Sequence, residues 1–127
     1  MSPRQIPHEQ GRQAVSDYLN DPDGTLANTD TVAVACRFTL QLLAQVAPGR
    51  SVEVRVPPFA AVQVIQGPSH TRGTPPAVIE MSPTVWLELA TGLRSWPDAV
   101  TQGTVDSSGH RANLQEWLPL PQLGLTP

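Results

Sequence analysis

"SVEVRVPPFAAVQVI", residues 51–65, holds two runs of alternating residues parted by a proline pair. Val52, Val54 and Val56 alternate with Ser51, Glu53 and Arg55, the two-residue period of a strand buried on one face. After Pro57-Pro58 the pattern resumes, with Val62 and Val64 on one face and Ala61, Gln63 and Ile65 on the other. So short a connection leaves no room for a crossover helix, so the two runs read as a hairpin or a corner.

Immediately upstream, "TVAVACRFTLQLLAQVA" runs from a cap region at Asn28, Thr29 and Asp30 to the breaker pair Pro48-Gly49. Its strongly polar residues, Arg37, Gln41 and Gln45, recur every four positions and form one narrow stripe. The rest of the surface is apolar or small, so the helix must be covered on more than one side. Two readings fit: a central core helix, or one wall of an apolar cavity. Residues 8–19 form a shorter amphipathic helix carrying Ala14, Val15, Tyr18 and Leu19, broken by the turn residues of "NDPDGT".

Downstream, "AVIEM" reads as a third strand and "SPTVWLELATG" as a short helix. Ser82 is at its N-cap, Pro83 in its first turn and Gly92 just past its end. "SWPDAV" starts another helical turn, with Ser95 and Asp98 spaced as a capping pair. "QGTVDSSG" supplies a short strand, and "HRANLQEWL" a last helix closed by Pro119. Strands are grouped rather than alternating with helices, which favours an α+β layer fold over a doubly wound parallel sheet. One domain is expected over residues 1–127, with a helix and turn in 1–28 and an irregular, leucine-pinned tail in 119–127.

All eight basic residues are arginine and the net charge is -3, which argues against nucleic-acid binding, because displacing phosphate counterions needs clustered cations. Cys36 stands alone and "MSPRQIPHEQ" has no apolar signal core, so a cytoplasmic protein is expected. Arg37, Gln41 and Gln45 interrupt the longest apolar stretch, well short of the ~20 apolar residues that span a bilayer. No stable membrane insertion is expected.

Phosphate-cradling glycine loops, H-E-x-x-H, G-x-S-x-G and C-x-x-C are all absent from the sequence. His8, His70 and His110 fall in three separate segments and give no metal-ligand spacing. "DSSGHR" sets Asp106, Ser107, Ser108 and His110 close together, but triads are made by geometry rather than adjacency, and a strand end with a cap accounts for it. In "SHTRGTPPAV", residues 69–78, His70 and Arg72 offer a proton-sharing imidazole and a planar cation suited to a carboxylate or phosphate. The same loop also reads as a stiff connection, with Arg72 paired to Glu80.

Together, "VRVPPFAAVQ", "GPSHTRGTPPAVIE", "WLELATG", "WPDAVTQGTVDSSGHRANL" and "LPL" resemble the small actinobacterial proteins grouped as bacterial orthologues of sterol carrier protein type 2, over about residues 30–120. The run from "PPAVIEMSP" to "TQGTVDSSG" is also similar to the carboxy-terminal domain of mycothiol-dependent maleylpyruvate isomerases. The resemblance implies a curved, single-layer, mainly antiparallel sheet covered on one face by helices, with an apolar tunnel between the layers. It implies carriage of an apolar or amphipathic lipid, fatty acyl or sterol-like. The isomerases keep their metal-binding residues in a separate helical domain, so the resemblance carries no catalysis, metal or cofactor to this chain.

The expected cavity lining is Phe38, Leu42, Val62, Val64, Ile65, Trp86 and Leu89, and the expected polar mouth Arg55, His70 and Arg72. The partner would be a small apolar or amphipathic molecule bound by a monomer or homodimer. Two readings compete: part of a thiol-dependent isomerase or transferase system, and a cavity-less protein-interaction module.

Overall fold

The alternating valines build the centre of a four-stranded sheet. A computed structural model describes residues 5–21, 28–67, 77–109 and 112–124. In chain order these form α1 (His8–Asn20), α2 (Thr29–Val46), β1 (Val52–Val56), β2 (Ala60–Val64), β3 (Ala77–Glu80), α3 (Pro83–Thr91), α4 (Trp96–Thr101) and β4 (Asp106–Ser108). Single 3-10 turns follow at Gln115–Trp117 and Pro121–Leu123. The fold is α+β, and among the described residues no helix is long and apolar enough to cross a membrane.

The strand order is β2-β1-β3-β4. Of the hairpin and the corner that the sequence allows, β1 and β2 form the antiparallel hairpin, pairing Val54 with Val62 and Val52 with Val64. β3 and β4 are also antiparallel, but β3 runs parallel to β1, with Ala77 opposite Val52 and Ile79 opposite Val54. The sheet is therefore mixed: β2 takes one edge of β1, and β3 joins the free edge in β1's own direction. This register sends Val52, Val54, Val56, Val64, Ala77 and Ile79 to one buried face. Glu53, Arg55, Gln63 and Glu80 take the other, as the two-residue period requires.

α2 packs on the apolar face. Asn28 caps it, its Oδ1 accepting the Thr31 N–H at 2.8 Å, and Cys36, Phe38, Leu42 and Leu43 in its middle have no exposed surface. α3 follows its sequence grammar, with the Ser82 hydroxyl accepting the Val85 N–H at 3.2 Å and Gly92 left-handed at φ 87°. The two helices are tied inside the core. The Trp86 indole N–H donates to Thr39 Oγ1 at 2.7 Å, and that hydroxyl donates to the Ala35 carbonyl at 2.7 Å, so both buried polar groups are satisfied. α1 lies across α2 where Gly11 meets the Phe38 ring.

Two local readings are corrected. "HRANLQEWL" makes no helix over its described residues beyond the turn at Gln115–Trp117. Asn113 Oδ1 accepts the Gln115 N–H at 2.8 Å, closing a local turn that competes with helix, and Leu114 alone is fully buried. Ile65 does not extend β2 with its side chain on the open face. It adopts φ 68°, its N–H donating to the Ala47 carbonyl at 2.7 Å and its carbonyl accepting the Ser51 N–H and Oγ at 3.1 and 2.6 Å. Those bonds outweigh the strain of a β-branched residue in the left-handed region and turn Ile65 inward, to 8% exposure. Gly49 permits this, because a Cβ there would overlap the Ile65 backbone.

The tail is pinned. The Leu120 N–H donates to the Ala90 carbonyl at 3.0 Å, Gln122 Nε2 to the Leu42 carbonyl at 3.1 Å, and Arg12 Nη2 to the Gln122 carbonyl at 2.7 Å.

Gly11 supplies a stability test with an unusual sign. Alanine normally improves an exposed helix interior by about 1 kcal/mol over glycine. Here a Cβ would sit inside the Phe38 ring, which has no exposed surface and no free direction of movement. Gly11→Ala is expected to destabilise the protein by about 1–3 kcal/mol in urea unfolding, the usual cost of overpacking. A stabilised variant would show that α1 does not seat on Phe38.

Candidate functional site

Small side chains leave space between α2 and β2. Ala44 and Ala60 contribute only methyl groups, and with Ile6, Leu40, Val62 and the edge-strand residue Ala61, whose own side chain shares the open face with Arg55, they bound a groove of about 390 Å³. That volume lies within the roughly 300–1,000 Å³ typical of small-molecule sites. The polar wall is the α2 stripe of Arg37, Gln41 and Gln45, continued by Gln5. The helix that had to be covered nearly all round is open along its one polar line.

Two of the polar residues are held in place. Arg37 Nε donates to the Phe59 carbonyl at 3.2 Å, tying its guanidinium to the turn between β1 and β2. Among the described residues, Arg37 is the single charged residue lining the groove. Gln41 spends both ends of its amide on one backbone residue, accepting the Ile6 N–H at 2.8 Å and donating to the Ile6 carbonyl at 3.1 Å. The chemistry on offer is burial of an apolar chain beside one cation and several neutral hydrogen-bonding groups.

The residues named from sequence divide between this groove and the core. Phe38, Leu42, Val64, Trp86 and Leu89 meet in one cluster, each at 0% exposure, and side chains occupy the space between sheet and helices where they lie. Val62 is half-buried against that cluster and lines the groove. Ile65 borders a separate shallow depression beside Asn113, Gln115, Glu116 and Trp117. Arg55 stands on the open face of the sheet, paired with Glu53. His70 and Arg72 lie outside the described residues, as does His110. His8 makes an edge-to-face contact with the Phe38 ring at 5.4 Å.

Arg37, Gln41 and Gln45 are visible in the sequence as one narrow polar stripe, without a site role of their own. The signal that assigns them to a groove is their coincidence with alanines: Ala44 on the same helix and Ala60-Ala61 at the start of the edge strand. Small residues at a layer boundary leave volume that larger ones would fill.

The buried Cys36 thiol and Tyr18 hydroxyl are not prepared for covalent or proton-transfer chemistry at neutral pH. Burial pushes the Cys36 thiol from 9.0 up to about 12, against a small opposing pull from Arg37. Burial, with Glu88 and Cys36 adding, also raises the Tyr18 hydroxyl above its ordinary value of 10.0.

The family described as "Bacterial SCP ortholog" matches residues 28–120, from the α2 cap through all four strands to the pinned Leu120. The chain belongs to this family of bacterial sterol carrier protein orthologues. No curated protein matches it. The matched stretch of this SCP orthologue holds most of the groove wall, whereas Gln5, Ile6 and α1 precede it.

Cys36 gives the second test. With the native thiol at about 12 and an ordinary one at 9.0, the native thiolate fraction near neutral pH is roughly a thousandfold smaller, and the thiolate is the reactive species. A chromogenic disulfide reagent should modify Cys36 promptly in denaturant and at least a hundredfold more slowly in the native protein. Equal rates would mean that α2 is not covered around Cys36. Stability follows the same direction: both states are protonated below about pH 9, and above it the unfolded chain loses a proton that the native protein retains, so stability falls as pH rises toward 12.

Proposed function

We propose that this protein is a non-catalytic cytosolic carrier of an amphipathic lipid with a single apolar chain, and that the chain lies in the groove between α2 and β2. The observation that carries the reading is the pairing of an apolar channel with one cation at its edge. Ile6, Leu40, Ala44, Ala60 and Val62 take the chain, and Arg37 faces its head. Burying an apolar chain supplies roughly 25 cal/mol per Å² removed from water, enough to retain a lipid without a covalent step.

A planar guanidinium whose Nε is already committed to Phe59 presents its remaining N–H groups as a fork for a carboxylate or phosphate. Arg55, held by Glu53 on the opposite face of the sheet, is poorly placed for that task, so the head-group role assigned to it passes to Arg37. Of the seven apolar residues named from sequence, Val62 touches the ligand directly, while Phe38, Leu42, Val64, Trp86 and Leu89 hold the wall rigid from behind. Membership of the sterol carrier orthologues supports the ligand class, and the raised Cys36 and Tyr18 pKa values support carriage over catalysis.

Titration with a naturally fluorescent fatty acid, cis-parinaric acid, tests this. Ala44→Trp places an indole in the groove on a good helical position. It should weaken binding at least tenfold, about 1.4 kcal/mol, without lowering the unfolding temperature. Gln63→Ala, on the open face, should leave binding unchanged. Affinity within twofold of the unaltered protein in Ala44→Trp would remove the lipid from this groove.

A further inference from the structure

Among the described residues, the segment that closes the groove is fastened by one side chain. Gln5 and Ile6 form one of its walls, and Ile6 is half-buried against the core. The backbone of Ile6 is bonded by the Gln41 side chain, which takes the N–H and gives to the C=O as a neighbouring strand would. One residue further on the chain is firmly held. The Pro7 carbonyl accepts the Gly11 N–H at 2.9 Å to start α1, and Gly11 seats on Phe38.

We propose that Gln5–Pro7 is a strap over the lipid groove and that Gln41 is its latch; the proposal rests on the groove being the lipid site. The strap pivots at Pro7. Opening costs the two Gln41 hydrogen bonds, which water replaces, and the half-burial of Ile6, while α1 stays seated. A single apolar chain can then enter or leave sideways along α2, and closure brings Ile6 back against it. Gln41 thereby sets the rate of lipid exchange as well as lining the site. The strap also precedes residues 28–120, so this control belongs to a part of the chain outside the family match.

Stopped-flow exchange of cis-parinaric acid on the full chain decides the matter. Gln41→Leu cannot bond either Ile6 group, and both association and dissociation should speed up, dissociation by at least fivefold. Gln41→Glu keeps an acceptor for the Ile6 N–H but sets a carboxylate oxygen against the Ile6 carbonyl, so its rates should fall between the two. Rates within twofold of the unaltered protein in both variants, with binding retained, would overturn the strap and leave the groove standing. Failure of the unaltered protein to bind the probe would overturn both. If a variant does not fold, hydrogen exchange of the Ile6 amide in the unaltered protein serves instead. Exchange should slow at least threefold when the probe binds, and an unchanged rate would overturn the strap.

Discussion

An eighteen-residue helix that is apolar on every side but one must be covered on every side but one, and the packing of this protein answers that constraint on α2. The sheet takes one flank through Val52, Val54 and Ile79. α3 takes another, fixed by the Trp86 to Thr39 bond, and α1 a third, where the absence of a side chain at Gly11 lets the backbone reach the Phe38 ring. Even the tail contributes, with Gln122 reaching the Leu42 carbonyl. What remains open is the line of Arg37, Gln41 and Gln45, and that line borders the groove. The site is a by-product of covering the helix as far as its polar residues allow.

Much of this was legible in the residues. The two strands and the burial of one valine face follow from a two-residue period, and the caps at Asn28, Ser82 and Ser95 are local chemistry that tertiary packing did not override. The departures came where a distant partner decided. β3 lies parallel to β1 in a sheet whose other two pairings are antiparallel, as a mainly antiparallel sheet allows, and which pair is parallel is not written in a four-residue pattern. Ile65 is turned inward by bonds to Ala47 and Ser51. The expected helix near Gln115 shrinks to one turn because Asn113 competes for a backbone N–H.

The candidate site was less legible, for a packing reason. A list of apolar residues at helix and strand spacing identifies what is buried, and Phe38, Leu42, Val64, Trp86 and Leu89 are buried completely. A ligand needs the opposite, volume that side chains leave unfilled, and that depends on which small residues face each other across a layer boundary. Ala44 and Ala60 meet only after the hairpin has folded against α2. The polar stripe gave the direction of the opening, and the alanines gave it depth.

The central claim is the location of the lipid chain, and nuclear magnetic resonance with a uniformly carbon-13-labelled fatty acid tests it most directly. Intermolecular Overhauser contacts from the labelled chain should fall on the methyl groups of Ala44, Ala60 and Val62 and leave the Trp86 and Leu89 resonances unmoved. Contacts concentrated on Trp86, Leu89 and Leu42 would mean that the lipid parts the sheet from the helices, and the groove would lose its role.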